Sequence, residues 1–299
     1  MLALALAVGA TVQAEDSAMK SIAEKTQQRL EEIAAGTQGV MGFVVEDLAG
    51  EYRFAVKQDR QFAQASAIKI PILLTLLKQA HEGKVDLKAM HWVEKKSQVR
   101  GSGILGELGD RTTQMSAEDL AVLMIVLSDN TATNMLIELV GMKNVTDTMY
   151  LLGAENTWLQ RKMLDTAASA RGEENLSTPA DAARIMRVLH EGKFVSREVS
   201  NHALAILSKP KSGDIKAALP DNISVAFKPG AVPGVVTEWA IVELKSRPYI
   251  VIVMGSHGVG DEFKTATREI SKTAYEFFRR AATSTKYGAY IDPEEWNKR

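Results

Sequence analysis

The chain contains no cysteine, which excludes thiol catalysis, cysteine-based zinc sites and disulfides together. It also lacks a charge surplus: the net charge is −1 and the pI about 6.6, so no basic surface for nucleic acid or anionic membrane is expected. The five histidines (His81, His91, His190, His202 and His257) show no metal-binding spacing of the H-E-x-x-H kind. His81 and His190 each open a His-Glu-Gly-Lys segment, the signature of a helix end with glycine just beyond it. No run beyond the first dozen residues is apolar for long enough to span a membrane, and there is no internal repeat or low-complexity linker. The composition therefore predicts no metal, no cofactor, no nucleic-acid partner and no membrane span.

What is present is a chain of 299 residues, 45% hydrophobic, long enough to bury a substantial core. Leu2 to Thr11 is apolar and small-residue rich. It is followed by Val12-Gln13-Ala14 and then by Glu15-Asp16. This reads as the end of a secretory signal peptide cleaved after Ala14, although the usual basic start is missing. The expected division is a leader at 1–14 and one domain at 15–299, in a secreted or periplasmic protein.

Three short motifs then follow in order: Ser66-Ala-Ile-Lys69, Ser128-Asp129-Asn130 and Lys228-Pro229-Gly230. The first puts a hydroxyl and an amine three residues apart, on one face if the segment is helical. The second adds a hydroxyl and a carboxamide. The third adds an amine beside a glycine, where a backbone can approach closely. Together these groups can activate a serine without histidine. Ser-x-x-Lys and Lys-x-Gly are common by chance, but Ser-Asp-Asn is expected in only about a few per cent of chains this long, so order and context carry the argument. Ser66 opens the apolar run Ile68 to Leu77, Ser128 lies between two apolar helical runs, and Lys228 closes the strand-like run Ile223 to Phe227.

Around these motifs the pattern predicts an amphipathic helix from Ser17 to Ala35, ended by Gly36. A hairpin follows, Val40 to Glu46 with Tyr52 to Val56. Ser116 to Asp119 reads as a capping box, and Thr178-Pro179 as a helix start. Strands are expected at Ile223 to Phe227, Trp239 to Leu244 and Tyr249 to Met254, before a closing helix at Glu262 to Ala282. This order gives an α+β fold: an antiparallel sheet flanked by N- and C-terminal helices, with an all-helical lobe, about residues 66–210, inserted between strands.

In these motifs and in this order of elements, the chain resembles the serine β-lactamase and penicillin-recognising family, nearer its class A branch, over roughly Val40 to Ala282. The resemblance implies Ser66 as the acylated nucleophile and Lys69 as acceptor of its proton. Ser128 would relay a proton toward the leaving nitrogen. Asn130 would hold Lys69 and the substrate amide, and Lys228 would add positive potential from the opposite wall. Gly230 would let the backbone approach, and the N–H groups of Ser66 and Ala231 would form an oxyanion hole. The substrate would be a small β-lactam or a peptidoglycan-like acyl compound, taken by a monomer.

Two departures stand out. Proline at 229 replaces a threonine whose hydroxyl would meet a substrate carboxylate. The loop Trp158 to Asp165 also lacks the glutamate that activates the deacylating water. Asp165, Glu173 and Glu174 are the nearest carboxylates there. The departures leave three readings: a hydrolase, a slowly deacylating penicillin-binding, D,D-peptidase-like or esterase-like protein, and a non-catalytic ligand sensor.

Overall fold

The computed structural model describes residues 3–285 and 287–291; the first two residues of the leader-like stretch lie outside them. Helix α1 (Ala3–Ala35) leads into β1 (Val40–Asp47) and β2 (Arg53–Val56), the expected hairpin, which turns through Gly50 at φ +81°. A two-residue strand β3 (Phe62–Ala63) and a 3₁₀ turn (Ala65–Ile68) precede α2 (Lys69–His81). The helical part continues as α3 (Ala117–Val126), α4 (Asn130–Val140), α5 (Met142–Leu151), α6 (Thr166–Ala170), α7 (Pro179–His190), α8 (Arg197–Leu207) and α9 (Asp214–Ala217). Two short ribbons punctuate it: β4 (Met90–Trp92) with β5 (Gln114–Ser116), and β6 (Leu176–Ser177) with β3. The chain then forms β7 (Val225–Val232), β8 (Val235–Val242), β9 (Tyr249–Ser256) and α10 (Gly260–Thr283).

Several boundaries are set by the local chemistry of the sequence. Ser116 caps α3 by accepting the Asp119 N–H at 3.0 Å, and Thr178 caps α7 by accepting that of Asp181 at 3.1 Å, with Pro179 in the first turn. Helices α2 and α7 end at His81 and His190. The third strand from the end differs from expectation: it does not close at Lys228 but runs through Pro229 to Val232. β7 is an edge strand, the one place in a sheet that accommodates proline.

The five long strands form one antiparallel sheet in the order β2-β1-β9-β8-β7. Central β9 is buried at every residue. Tyr249, Val251 and Val253 enter one core with α1 and α10, while Ile250, Ile252 and Met254 enter the other with α2 and α7. Period-two alternation thus divides one apolar run between two cores. The sheet's second face meets the inserted helices, and the three motifs come together where those helices reach β7.

Candidate active site

The turn that carries Ser66 is fixed from both sides. Gln64, fully buried, accepts the Trp239 indole N–H through its side-chain oxygen at 3.0 Å. Its backbone oxygen accepts the Thr237 hydroxyl at 2.9 Å and the Ala67 N–H at 2.9 Å. Ala65 takes φ +42°, a left-handed conformation that costs a non-glycine residue on the order of 1 kcal/mol or more. Gly230 of β7 lies against this turn so closely that a Cβ there would stand 2.6 Å from the Ser66 nitrogen and 2.7 Å from that of Ala67. Only glycine lets the strand backbone come this near.

Lys69, in the first turn of α2, has no solvent exposure. Its Nζ donates to the Ser128 carbonyl at 2.6 Å, the Ser128 hydroxyl at 3.0 Å and Asn130 Oδ1 at 2.9 Å. Ser128 presents both oxygens because it too is left-handed, at φ +53°. Asp129 stabilises this corner: its buried carboxylate accepts the N–H groups of Ile104, Leu105 and Ala132 between 2.7 and 2.9 Å. From the opposite wall, Lys228 Nζ donates to the same Ser128 hydroxyl at 3.1 Å and to the Pro229 carbonyl at 2.7 Å. The register that pairs Lys228 with Trp239 directs its side chain to the Ser128 side of the sheet.

One hydroxyl therefore bridges two buried amines, and this arrangement sets the electrostatics. Burial, and then the charge of Lys228, hold Lys69 well below the ordinary lysine range, with Asp129 opposing. Burial, and then Lys211, bring Lys228 down to about 7 against the pull of Glu238. Lys228 therefore exchanges a proton near neutrality, which an ordinary lysine does not, and Lys69 is shifted in the same direction.

The loop after α5 is tied down by amides. Asn175 accepts the N–H groups of Gln160 and Arg161 at 2.8 and 3.0 Å, while its own carbonyl accepts the Gln64 N–H at 2.9 Å, coupling the loop to the Ser66 turn. Asn134, one turn along α4 from Asn130, brackets Met163: it accepts the Met163 N–H at 2.8 Å and donates to the Met163 carbonyl at 3.2 Å. The loop residue pinned beside the motif helix is thus an apolar methionine, largely buried.

The three nearby carboxylates have other partners. Asp165 caps α6 by accepting the Ala168 N–H at 2.9 Å. Glu173 is paired at the surface with Arg171, which holds its carboxyl below the usual range. Glu174 accepts from Arg161 at 2.9 Å and from Ser169. Ala231 lies exposed on β7, one residue beyond Gly230. Among the described residues no group of histidines and carboxylates could hold a metal.

Sequence reasoning singled out Ser66, Lys69, Ser128, Asn130, Lys228 and Gly230, and the fold gathers these at one place. It missed Gln64, Asn134 and the roles of Asp129 and Glu238. Of these only Asn134 left a signal, its spacing of four from Asn130 on an apolar helix.

The comparisons agree with this geometry. Residues 25–278 match the model of the β-lactamase enzyme family. An imipenem-hydrolyzing β-lactamase of Enterobacter cloacae is 26% identical over 221 residues, 72% of this chain and 75% of the relative. The β-lactamase structure from Sphaerobacter thermophilus DSM 20745 superposes with a TM-score of 0.77 at 30% identity, covering 84% of this chain and 95% of that one. A mutant of PBP-A, solved as an acyl-enzyme complex with penicillin-G, superposes with a TM-score of 0.78 at 25% identity, covering 85% and 96%. The chain belongs to the β-lactamase enzyme family. It is a serine hydrolase of the β-lactamase-like kind, and the family's substrates are small β-lactams.

Proposed function

We propose that the protein opens a β-lactam or related acyl compound by forming an acyl-enzyme on Ser66, and that release of the acyl group is its slow step. The observation that carries this reading is the pair of buried lysines sharing the Ser128 hydroxyl. Neutral Lys69 accepts the Ser66 proton as Oγ attacks the carbonyl carbon. The N–H groups of Ser66 and Ala231 receive the developing oxyanion. The proton then passes through Ser128, which has one donor and two acceptor positions, to the departing nitrogen. Lys228 keeps Lys69 neutral and lends positive potential.

Slow release is supported by Met163. The loop residue that Asn134 fixes beside the site carries no base, and Asp165, Glu173 and Glu174 have partners elsewhere. A correctly placed general base contributes roughly 10²–10⁴-fold. This favours penicillin-binding behaviour over rapid hydrolysis. The reading includes export after removal of residues 1–14, taken from the leader-like sequence, and action as a monomer; no helix among the described residues is long and apolar enough to cross a membrane.

The test is a single time course with a fluorescent penicillin and nitrocefin, read by intact mass and absorbance. A burst of about one equivalent followed by slow turnover, with the adduct on the Ser66 peptide and lost in Ser66→Ala, is the expected result. An adduct persisting at that peptide in Ser66→Ala removes the nucleophile assignment, and fast turnover without a burst removes the slow step.

A further inference from the structure

Gln64 is a carboxamide with no solvent exposure, set in the core among β3, β8 and β9. Its Oε1 accepts the Trp239 indole N–H at 3.0 Å. Its Nε2 donates to the Phe62 carbonyl at 2.8 Å and lies 3.3 Å from the Met254 sulfur. Trp239 and Met254 belong to the apolar core, so a methionine at 64 would fill this space without the cost of dehydrating an amide. What the amide adds is direction. Its bonds are satisfied only in a narrow range of orientations, whereas apolar packing tolerates many.

The backbone of Gln64 is held as firmly. Its N–H donates to the Asn175 carbonyl at 2.9 Å, and its carbonyl accepts the Thr237 hydroxyl and the Ala67 N–H, each at 2.9 Å. The bond from Ala67 is the first of the 3₁₀ turn, so the turn itself gives the Ser66 N–H, one residue earlier, no acceptor. The Ser66 nitrogen lies against β7. A Cβ on Gly230, which pairs with Thr237, would stand 2.6 Å from that nitrogen and 2.9 Å from the Gln64 carbonyl oxygen. Between the anchored Gln64 and Ser66 stands one residue, Ala65, at φ +42°. An unrestrained alanine leaves that region, and any rotation that relaxes it also turns the Ser66 N–H.

We propose that Gln64 is a positioning residue for acylation: it keeps Ala65 left-handed and thereby holds the Ser66 N–H where the oxyanion forms. The inference rests on the acylation reading above. Gln64 bonds to none of Lys69, Ser128, Asn130 and Lys228, so it stands outside the proton path. Its influence falls on one quantity, the rate at which a substrate already bound acylates Ser66.

The experiment follows acylation of the full chain by benzylpenicillin, read by intact mass over a range of concentrations. This separates affinity for intact penicillin from the rate of acylation once bound, and it gives the fraction of chains that react. In Gln64→Met the bound-state rate should fall at least about tenfold, part of the roughly 10²–10³-fold that a whole oxyanion donor contributes, with affinity unchanged. Ala65→Gly removes most of the cost of the left-handed turn. It should therefore raise the rate about fivefold in the Gln64→Met background and leave it unchanged in the parent. Thr237→Val removes one bond at nearly constant volume; it should slow the bound step about threefold and carries the test if Gln64→Met does not fold. A smaller reacting fraction with an unchanged rate per reacting chain, in Gln64→Met or in Thr237→Val, assigns Gln64 a structural role and overturns the proposal. An equal effect of Ala65→Gly in both backgrounds overturns it as well. If the parent protein is not acylated, the acylation reading fails and takes this inference with it.

Discussion

Lys69 accepts a proton only in its neutral form, and two physical causes keep it near that form: burial and the charge of Lys228. Removing Lys228 removes the second. In Lys228→Ala the Lys69 pKa should rise, and the acidic limb of the pH–rate profile for acylation should move to higher pH. A limb that stays in place, with acylation intact, would show that the two amines are not coupled. Met163 permits the complementary experiment. Its backbone is already clamped by Asn134, so Met163→Glu would introduce a carboxylate without moving the chain. The acyl-enzyme lifetime should shorten by roughly 10²-fold while the burst amplitude is unchanged. A lifetime that does not change would place the water elsewhere. Lys69 and Lys228 were legible in the sequence through their motifs, whereas the place of Met163 was not. The Ser-x-x-Lys and Ser-Asp-Asn patterns name their residues, but the clamp on Met163 depends on which loop folds back onto α4.

At the scale of elements, legibility followed the range of the interactions that fix each boundary. The hairpin at Gly50, the caps at Ser116 and Thr178 and the ends at His81 and His190 depend on neighbours a few residues away, and these were readable. The 3₁₀ turn before α2 was not, because the left-handed Ala65 is maintained by tertiary contacts through Gln64 to β8. The length of β7 was misread because proline usually ends a strand, and only its place at the sheet edge explains why it does not here. The contact between β7 and the Ser66 turn gives a sharp prediction. Gly230→Ala forces a methyl group into backbone, so strand and turn must separate. Stability should fall by about 1–3 kcal/mol and acylation by at least about 10²-fold, checked by denaturant titration and mass labelling. Normal acylation in this variant would mean that the turn yields without cost.

For the molecule as a whole, the buried ionisable groups give stability a particular pH dependence. Burial raises Glu238 to about 7, so between its unfolded value near 4.5 and that point the folded state holds the extra proton, and stability falls as pH rises. Lys228, lowered to about 7, acts in the opposite sense: from there to its unfolded value near 10.5 the unfolded state holds the extra proton, and stability rises with pH. The urea midpoint should therefore pass through a minimum near neutrality. Glu238→Gln should flatten the acidic side and Lys228→Met the alkaline side. A midpoint that peaks near pH 7 would contradict both assignments.

The sheet's connectivity has a further consequence, for how the protein comes into being. β1, near the start, lies between β2 and β9, and Phe43 pairs with Val253. Nearly the whole chain must leave the ribosome before that pairing can form, so the nascent protein has an unpartnered hairpin and an unfinished core for most of its synthesis. Such long-range closure is slow. It leaves a long interval in which the chain remains open and threadable. The turn that carries Ser66, held by Thr237 and Trp239 of β8 and by Gly230 of β7, takes its final shape only once these late strands are in place.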